Sequence, residues 1–599
     1  MVRTGVAGLI LGLGWMLTGQ CEGASVRLAM PRGVMIETEA GGLLLFTGDP
    51  AAGAPEILES GGDTLVVRYV LEPAGVPAIA CTSAITVKNT EGHTDAVVDM
   101  TLSFSEAFCE DMEVTVPFLW KPAGAVRADS VVCPLYNGWA KRFGLESEGV
   151  RAEWRLGNWM TGADTAQLGL PVVEVEAGDV HASISTDATF SSLFELHGGE
   201  GGVLGTISYR YLGSKVPLQG EEKRTFGFSL GKGKGGVESS LEGFFREILP
   251  DVPAGPAWLH DIAMVYYNYL ADGGEGWDND VRELARLLTP EERRRVALCF
   301  HGWYDGLGSY AFDQTSGRMK EEWVAMPRTR AVRLTKAEVA EMLGRTRDLG
   351  FRVLWYFGDG LVQDSGGPNY HADWNLLDEN GKAPRPCWTG PDTSGETFPR
   401  NPAHPEVAQW YRSYLAALLE SYGAVVDGFV WDETFYIRSG DVALKPFPAY
   451  CARAMLDLVK TLTAQVEAFD PEKVLLASDD VGVFDSTDVI GYAMVADGTY
   501  QDSWCLPAAW SYALFPNWRN TSWSCNWSPV TRIDRTRWGV ENFGTPVAIS
   551  NGWGDDQGPS EWRAEIRDEI LRLFRERLAR QPVRYLSEDP ARLLRSAPK

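Results

Sequence analysis

Along its second half the chain repeatedly ends hydrophobic runs in acid. Asp305 closes HGWYDG, Asp359 closes WYFGDG, and Asp432 with Glu433 follows DGFVW. Asp479 and Asp480 follow VLLAS, Asp497 closes VIGYAMVAD, and Asp555 with Asp556 follows NGWG. Carboxyl groups brought together in pairs do nucleophilic and acid–base work. One attacks a carbon or activates water, while a protonated one donates to the leaving oxygen. Trp303, Trp355, Tyr356, Trp431 and Trp553 stand beside these acids, and His301 is close by. Aromatic faces suit the apolar face of a sugar ring, and His and Asp suit its hydroxyls. Any one acid could equally cap the helix that follows it. Glu433, Asp480 and Asp556 fit that role best. Recurrence at six run ends is what points to a site.

Other chemistries fit less well. A zinc hydrolase wants His ligands gathered at strand ends, and the seven His are scattered. Nucleophilic Ser or Cys catalysis lacks support, with no placeable Cys–His pair, and no glycine-rich phosphate loop follows a strand. The site residues require no cofactor and no metal. Carboxylate-bound calcium or magnesium stays open as a rival, although no EF-type loop is present. A metal-assisted barrel hydrolase or isomerase is therefore one alternative. A barrel that binds carbohydrate without turning it over is another.

The elements that position the acids alternate. Strand patterns at 262–270, 296–306, 352–360, 427–435, 474–480, 489–497 and 545–556 are separated by helical patterns, with an uncertain strand near TSWSCNW. Hydrophobic strands alternating with helices predict a parallel sheet covered on both faces, and about eight of them predict a (β/α)8 barrel. An open doubly wound sheet is the competitor. In a barrel the active site lies at the C-terminal strand ends, where the acids fall. The Trp-rich stretch 501–527 reads either as a substrate wall or as the packed seventh unit.

Before this, residues 25–236 read as short alternating strands punctuated by Gly, Pro, Asn and Asp, which predicts a large antiparallel β-sandwich. A helical linker is expected over 237–257 and the barrel over 258–599. Residues 1–24 read as a secretory signal peptide, with one Arg and an apolar run from Val6 to Leu17 that is short for a membrane span. The expectation is an exported chain, periplasmic or extracellular, with no stable membrane insertion. A lipoprotein signal at Cys21 fits less well because Gln20 precedes it. Eight further cysteines include the local candidate pairs Cys81–Cys109 and Cys505–Cys525, with buried thiols the alternative. A net charge of −26 opposes nucleic acid and anionic membrane as partners. Nothing specifies an oligomeric state.

The stretch PNYHADWNLLDENGKAPRPCWTG…DGFVWDETF (368–435) resembles the central segment of β/α-barrel glycoside hydrolases of the α-galactosidase and α-glucosidase group. A β-sandwich before the barrel extends the resemblance. It implies an α-glycosidase acting on an oligosaccharide or polysaccharide, with a nucleophile at the end of the fourth strand, here Asp432. It implies a general acid/base at the end of the sixth, here Asp497, or on the fifth strand, Asp479 or Asp480. Asp305, Asp359, His301, Trp303, Trp355, Tyr356, Trp431, Glu433 and Trp553 are the expected substrate-binding residues. The chain lacks the KxD and RxxxD forms of the better-known members.

Overall fold

The computed structural model describes, with short breaks, residues 18–46, 56–71, 79–154, 165–233, 255–268, 275–432, 442–479, 498–501, 522–524, 533–551 and 557–580. The chain forms two units, Met1–Asp251 and Val252–Lys599.

The first unit is built from two nine-stranded sheets. All neighbours are antiparallel except the short pair Val150–Trp154 and Ala166–Gln167. Alternation places the core. Along Asp111–Pro122, Val114, Val116, Phe118 and Trp120 are buried while most residues between them are partly or fully exposed. Phe118 of one sheet meets Phe228 of the other edge to face, 5.1 Å between ring centres, the contact of two sheets packed face to face. Opposite Phe118 stands Gly205, where a Cβ would lie 2.2 Å from the ring. The candidate Cys81–Cys109 disulfide is not formed, and both are free thiols: Cys81 is buried in Ile79–Thr90, and Cys109 is exposed just beyond His93–Phe108. The helix expected over 238–249 and most of the leader lie outside the described residues.

The second unit is a (β/α)8 barrel. Its parallel strands are Met264–Asn268, Val296–Phe300, Arg352–Asp359, Gly428–Asp432, Val474–Asp479, Gly498–Gln501, Ser522–Ser524 and Val547–Asn551. Each pairs with the next in sequence through the seventh, and the eighth returns to pair with the first. Seven strands in consecutive order with the last beside the first is the strand order of a (β/α)8 barrel, whereas a doubly wound sheet reverses near its middle. Among the described residues, helices follow the first four strands and the last two. Their starts are specified locally. Thr335 caps Lys336–Asp348 through the Glu338 N–H, and Thr289 with Glu292 forms a reciprocal capping box.

Strand four shows the two ends of the barrel in one stretch. Asp427, just before it, accepts the Val353 N–H at 2.9 Å and an Arg352 hydrogen bond at 3.0 Å. That acid joins strands at the N-terminal end, where barrel residues serve stability. Asp432, at the C-terminal end, is a different matter. The sixth strand departs from expectation: it is Gly498–Gln501, paired Leu476 to Gly498 and Asp479 to Gln501, whereas residues 489–497 lie outside the described residues. Within the Trp-rich stretch, Ser522–Ser524 forms the seventh strand. Among the described residues no helix is long and apolar enough to cross a membrane.

Candidate active site

The site begins with a bulge. On the third strand Tyr356 pairs with Val430, but Gly358 pairs with Trp431 and Asp359 with Asp432, so Phe357 is an extra residue. Its carbonyl is satisfied by the Tyr414 hydroxyl at 2.9 Å, and its ring packs against Tyr414 and Trp431 at 5.0 and 5.2 Å. The inserted residue changes the parity of the strand. Tyr356 and Asp359 are three apart, which in a regular strand would oppose them. Here they meet, and the Tyr356 hydroxyl donates to Asp359 Oδ1 at 2.5 Å. The Asp359 N–H donates to the Tyr310 hydroxyl at 2.9 Å.

Asp359 and Asp432 thus end adjacent strands at the same level, and both are buried. Tyr267 of the first strand donates to Asp432 Oδ2 at 3.3 Å. His301, just past the second strand, lies edge-on to Tyr356 at 3.8 Å and tilts against Tyr267 at 4.9 Å. Tyr304 stacks on Tyr356 at 6.0 Å. Tyr267, His301, Tyr356, Asp359 and Asp432 therefore form one cluster contributed by four consecutive strands.

Burial sets the electrostatics. Desolvation, then the neighbouring Asp432 charge, pushes Asp359 up to about 7, against the opposing Tyr356 hydrogen bond. Its Oδ2 is buried without a hydrogen-bond partner. Burial therefore favours the protonated form of Asp359, which can donate. Burial, reinforced by Arg330, holds His301 well below the usual imidazole value, so its ring is neutral. Burial, with the charges of Asp359 and Asp432, raises Tyr356 well above an ordinary phenol. The arrangement can offer one carboxyl group as a nucleophile or base beside another held as an acid.

A second layer fixes the rim. The Gly360 N–H donates to the Asp432 carbonyl at 2.6 Å. The Gly360 carbonyl accepts from Trp431 Nε1 at 2.9 Å and from the Tyr411 hydroxyl at 3.1 Å. Arg400, fully buried, reaches Gly308 O at 2.8 Å, Gln363 Oε1 at 3.3 Å and the Tyr411 hydroxyl at 3.4 Å. Its guanidinium lies 4.3 Å from the Trp410 ring centre. One cation thereby ties the loops after strands two and three to the strand-four end.

Of the residues expected from sequence, Asp359, Asp432, His301 and Tyr356 come together. Trp303, Trp355 and Trp431 are not part of that cluster. All three are fully buried in the barrel wall. Trp355 packs on Tyr422 at 4.4 Å and on Trp303 at 4.3 Å, and Trp431 on Tyr411 at 5.4 Å. Asp305 spends its carboxylate on the Ala311 N–H (2.7 Å) and Lys320 (2.6 Å), which organises the loop after strand two. Glu433, Asp480, Asp497 and Trp553 lie outside the described residues. Since the sixth strand starts immediately after Asp497 and ends at Gln501, the acid that follows its C-terminal end in the sequence is Asp502. Tyr267 and Tyr310 were missed. Alternation in MVYYN separates Tyr267 from Tyr266 and could have found the first, whereas Tyr310 comes from a loop and carried no periodic signal.

Asp373, His404 and Glu406 bring three potential ligand atoms within 4.8 Å of one another. Their chemistry is already committed. His404 Nδ1 accepts the Glu406 N–H at 3.2 Å as the cap of helix Pro405–Tyr422, which leaves its proton on Nε2. Glu406 Oε2 accepts Trp374 Nε1 at 3.1 Å. The donor set fits helix capping rather than a metal.

No protein-family model matches the chain, and no curated protein does. Solved structures do match, among them α-galactosidases and an α-N-acetylgalactosaminidase. A GH36 α-galactosidase of Geobacillus stearothermophilus in complex with stachyose aligns with 90% of this chain and 74% of its own, at 12% identity and a TM-score of 0.51. An α-N-acetylgalactosaminidase of Bifidobacterium bifidum aligns over 94% and 93%, at 10% identity and 0.52. The α-galactosidase of Lactobacillus brevis aligns over 94% and 70%, at 13% identity and 0.50. At such identities the likeness is one of fold: a β-sandwich followed by the barrel.

Proposed function

We propose that this chain is an exported α-glycoside hydrolase acting on an oligosaccharide or polysaccharide. The observation that carries the reading is the pairing of Asp359 with Asp432 at the ends of the third and fourth barrel strands, buried beneath Tyr267 and Tyr356. The shared fold with α-galactosidases supports the α-linked class. The apolar run at the N-terminus supports export to the periplasm or beyond.

In this reading Asp432 attacks the anomeric carbon. Its oxygen bonds to that carbon as the glycosidic C–O bond breaks, and the leaving oxygen takes a proton from the general acid. Water, deprotonated by the same residue, then releases the sugar with retained configuration. The general acid belongs to the fifth or sixth strand, and Asp480, Asp497 and Asp502 are its candidates. In a retaining enzyme the two catalytic carboxyl groups stand about 5–5.5 Å apart. Tyr267 holds the nucleophile's Oδ2, and neutral Asp359 donates to a sugar hydroxyl.

The test is release from α- and β-aryl glycosides and plant or algal oligosaccharides by native protein and Asp432→Asn, with single Asn variants of the three acid candidates. Release abolished in Asp432→Asn supports the assignment. Release that survives it refutes the nucleophile. Glycan binding with no release by the native protein leaves a carbohydrate-binding barrel.

A further inference from the structure

The β-sandwich holds a feature that the barrel chemistry does not use. Gly231 of strand Leu218–Lys232 has His93 as its register partner on one side and His181 on the other. The three residues form a row across the sheet, so both imidazoles rise on the same face, over the glycine. Their ring centres are 5.5 Å apart and the planes are inclined by 58°. A Cβ on Gly231 would stand 2.4 Å from His181 Nε2 and 2.5 Å from His93 Nδ1. Two ring nitrogens therefore converge on a space that exists because the central residue has no side chain.

The tautomer of one ring follows from its partner. His181 Nδ1 lies 3.3 Å from the Gly233 carbonyl. A carbonyl only accepts, so Nδ1 carries the proton and Nε2 presents its lone pair to the cradle. A backbone carbonyl orienting one ring nitrogen so that the other can ligate is the usual arrangement behind a metal-bound His. His93 Nδ1 is buried and has no hydrogen-bond partner, and His181 is itself buried. Next in the row stands Glu176, register partner of His181, with its carboxylate taking Ser130 at 2.6 Å and Arg142 at 3.0 Å. That acid is held for the sheet, and its charge favours a cation nearby.

We propose that His93 Nδ1 and His181 Nε2 bind a transition-metal ion of the copper or zinc class over Gly231. Imidazole nitrogen suits these ions, with bonds of about 2.0–2.1 Å to zinc, and copper(II) is the tightest of the divalent series at such ligands. Two protein ligands without a third make this an accessory site of modest affinity rather than a closed structural one. The barrel reading plays no part in it.

The test uses the full chain stripped with chelator, titrated calorimetrically with Cu²⁺ and with Zn²⁺, and the copper form examined by electron paramagnetic resonance. The expected result is one equivalent bound, with a copper spectrum showing nitrogen ligation. Affinity should fall at least about tenfold in His93→Ala and in His181→Ala. Gly231→Ala keeps both imidazoles but fills the cradle, and should fall with them, so the test stands if one His variant does not fold. Circular dichroism confirms folding of each variant. No binding by the native chain overturns the proposal. So does binding that survives all three substitutions, or that is lost instead in Glu406→Gln at the barrel rim.

Discussion

Asp359 and Asp432 are register partners on adjacent parallel strands, and a one-residue bulge at Phe357 is what turns Asp359 to the same side as Tyr356. Were the strand regular through Phe357, the carboxyl would follow Trp355 into the wall. With it, two buried acids share the strand ends and cannot both ionise cheaply.

The raised Asp359 gives a pH signature. Between the usual carboxyl value of 3.8 and about 7 the folded state keeps a proton that the unfolded chain has released. Stability must therefore fall as pH rises through that window. Asp359→Asn carries no such proton. Denaturant midpoints from pH 4.5 to 8 should show the variant gaining on the native protein by roughly 1–3 kcal/mol. A constant difference across the range would mean that Asp359 titrates like an exposed carboxyl.

Tyr267→Phe removes the hydroxyl from Asp432 Oδ2 without changing ring packing. The contact is long at 3.3 Å, so its loss belongs at the lower end for a hydrogen bond to a charged group, about 1–2 kcal/mol. In kcat/KM on the best aryl glycoside this is a drop of roughly 5- to 30-fold, with the unfolding midpoint nearly unchanged. Unaltered kinetics would remove Tyr267 from the site.

The barrel was legible in the sequence because six of its eight strands are largely hydrophobic and its helices open on clear caps such as Thr335. Asp432 was legible because it ends such a run. What was not legible has a common source in side-chain direction. Trp355 and Tyr356 are neighbours, so only one can face the lumen, and the bulge that brings Asp359 back beside Tyr356 leaves no mark in composition. Asp497 looked like a strand end because VIGYAMVAD is apolar, yet the hydrogen-bonded strand is the less hydrophobic Gly498–Gln501. Pairing with Val474–Asp479, a long-range fact, overrode local hydrophobicity.

Trp355 separates packing from recognition. Buried against Trp303 and Tyr422, its replacement by Ala should cost about 3–5 kcal/mol of stability. Trp355→Phe refills much of the space and should leave KM within about twofold, since the ring touches no substrate in this reading. A KM raised about tenfold in a stably folded Trp355→Phe would restore it as a sugar platform.

Arg400 is the last case, because its effect on the rim runs through other groups. It bonds the Gly308 carbonyl and the Tyr411 hydroxyl, Tyr411 bonds the Gly360 carbonyl, and the Gly360 N–H holds the Asp432 carbonyl. Arg400→Met fills the space but drops every hydrogen bond and the stacked charge, at a cost of about 2–4 kcal/mol. If the chain of contacts positions Asp432, kcat should fall about tenfold while KM moves less. Tyr411→Phe keeps Arg400 and breaks only the link to Gly360, so it should lose less stability yet show the same bias toward kcat. Equal damage to kcat and KM in both variants would reduce Arg400 to a fold-holding residue. A kcat loss in Tyr411→Phe without destabilisation would place the positioning role in the Gly360 carbonyl itself.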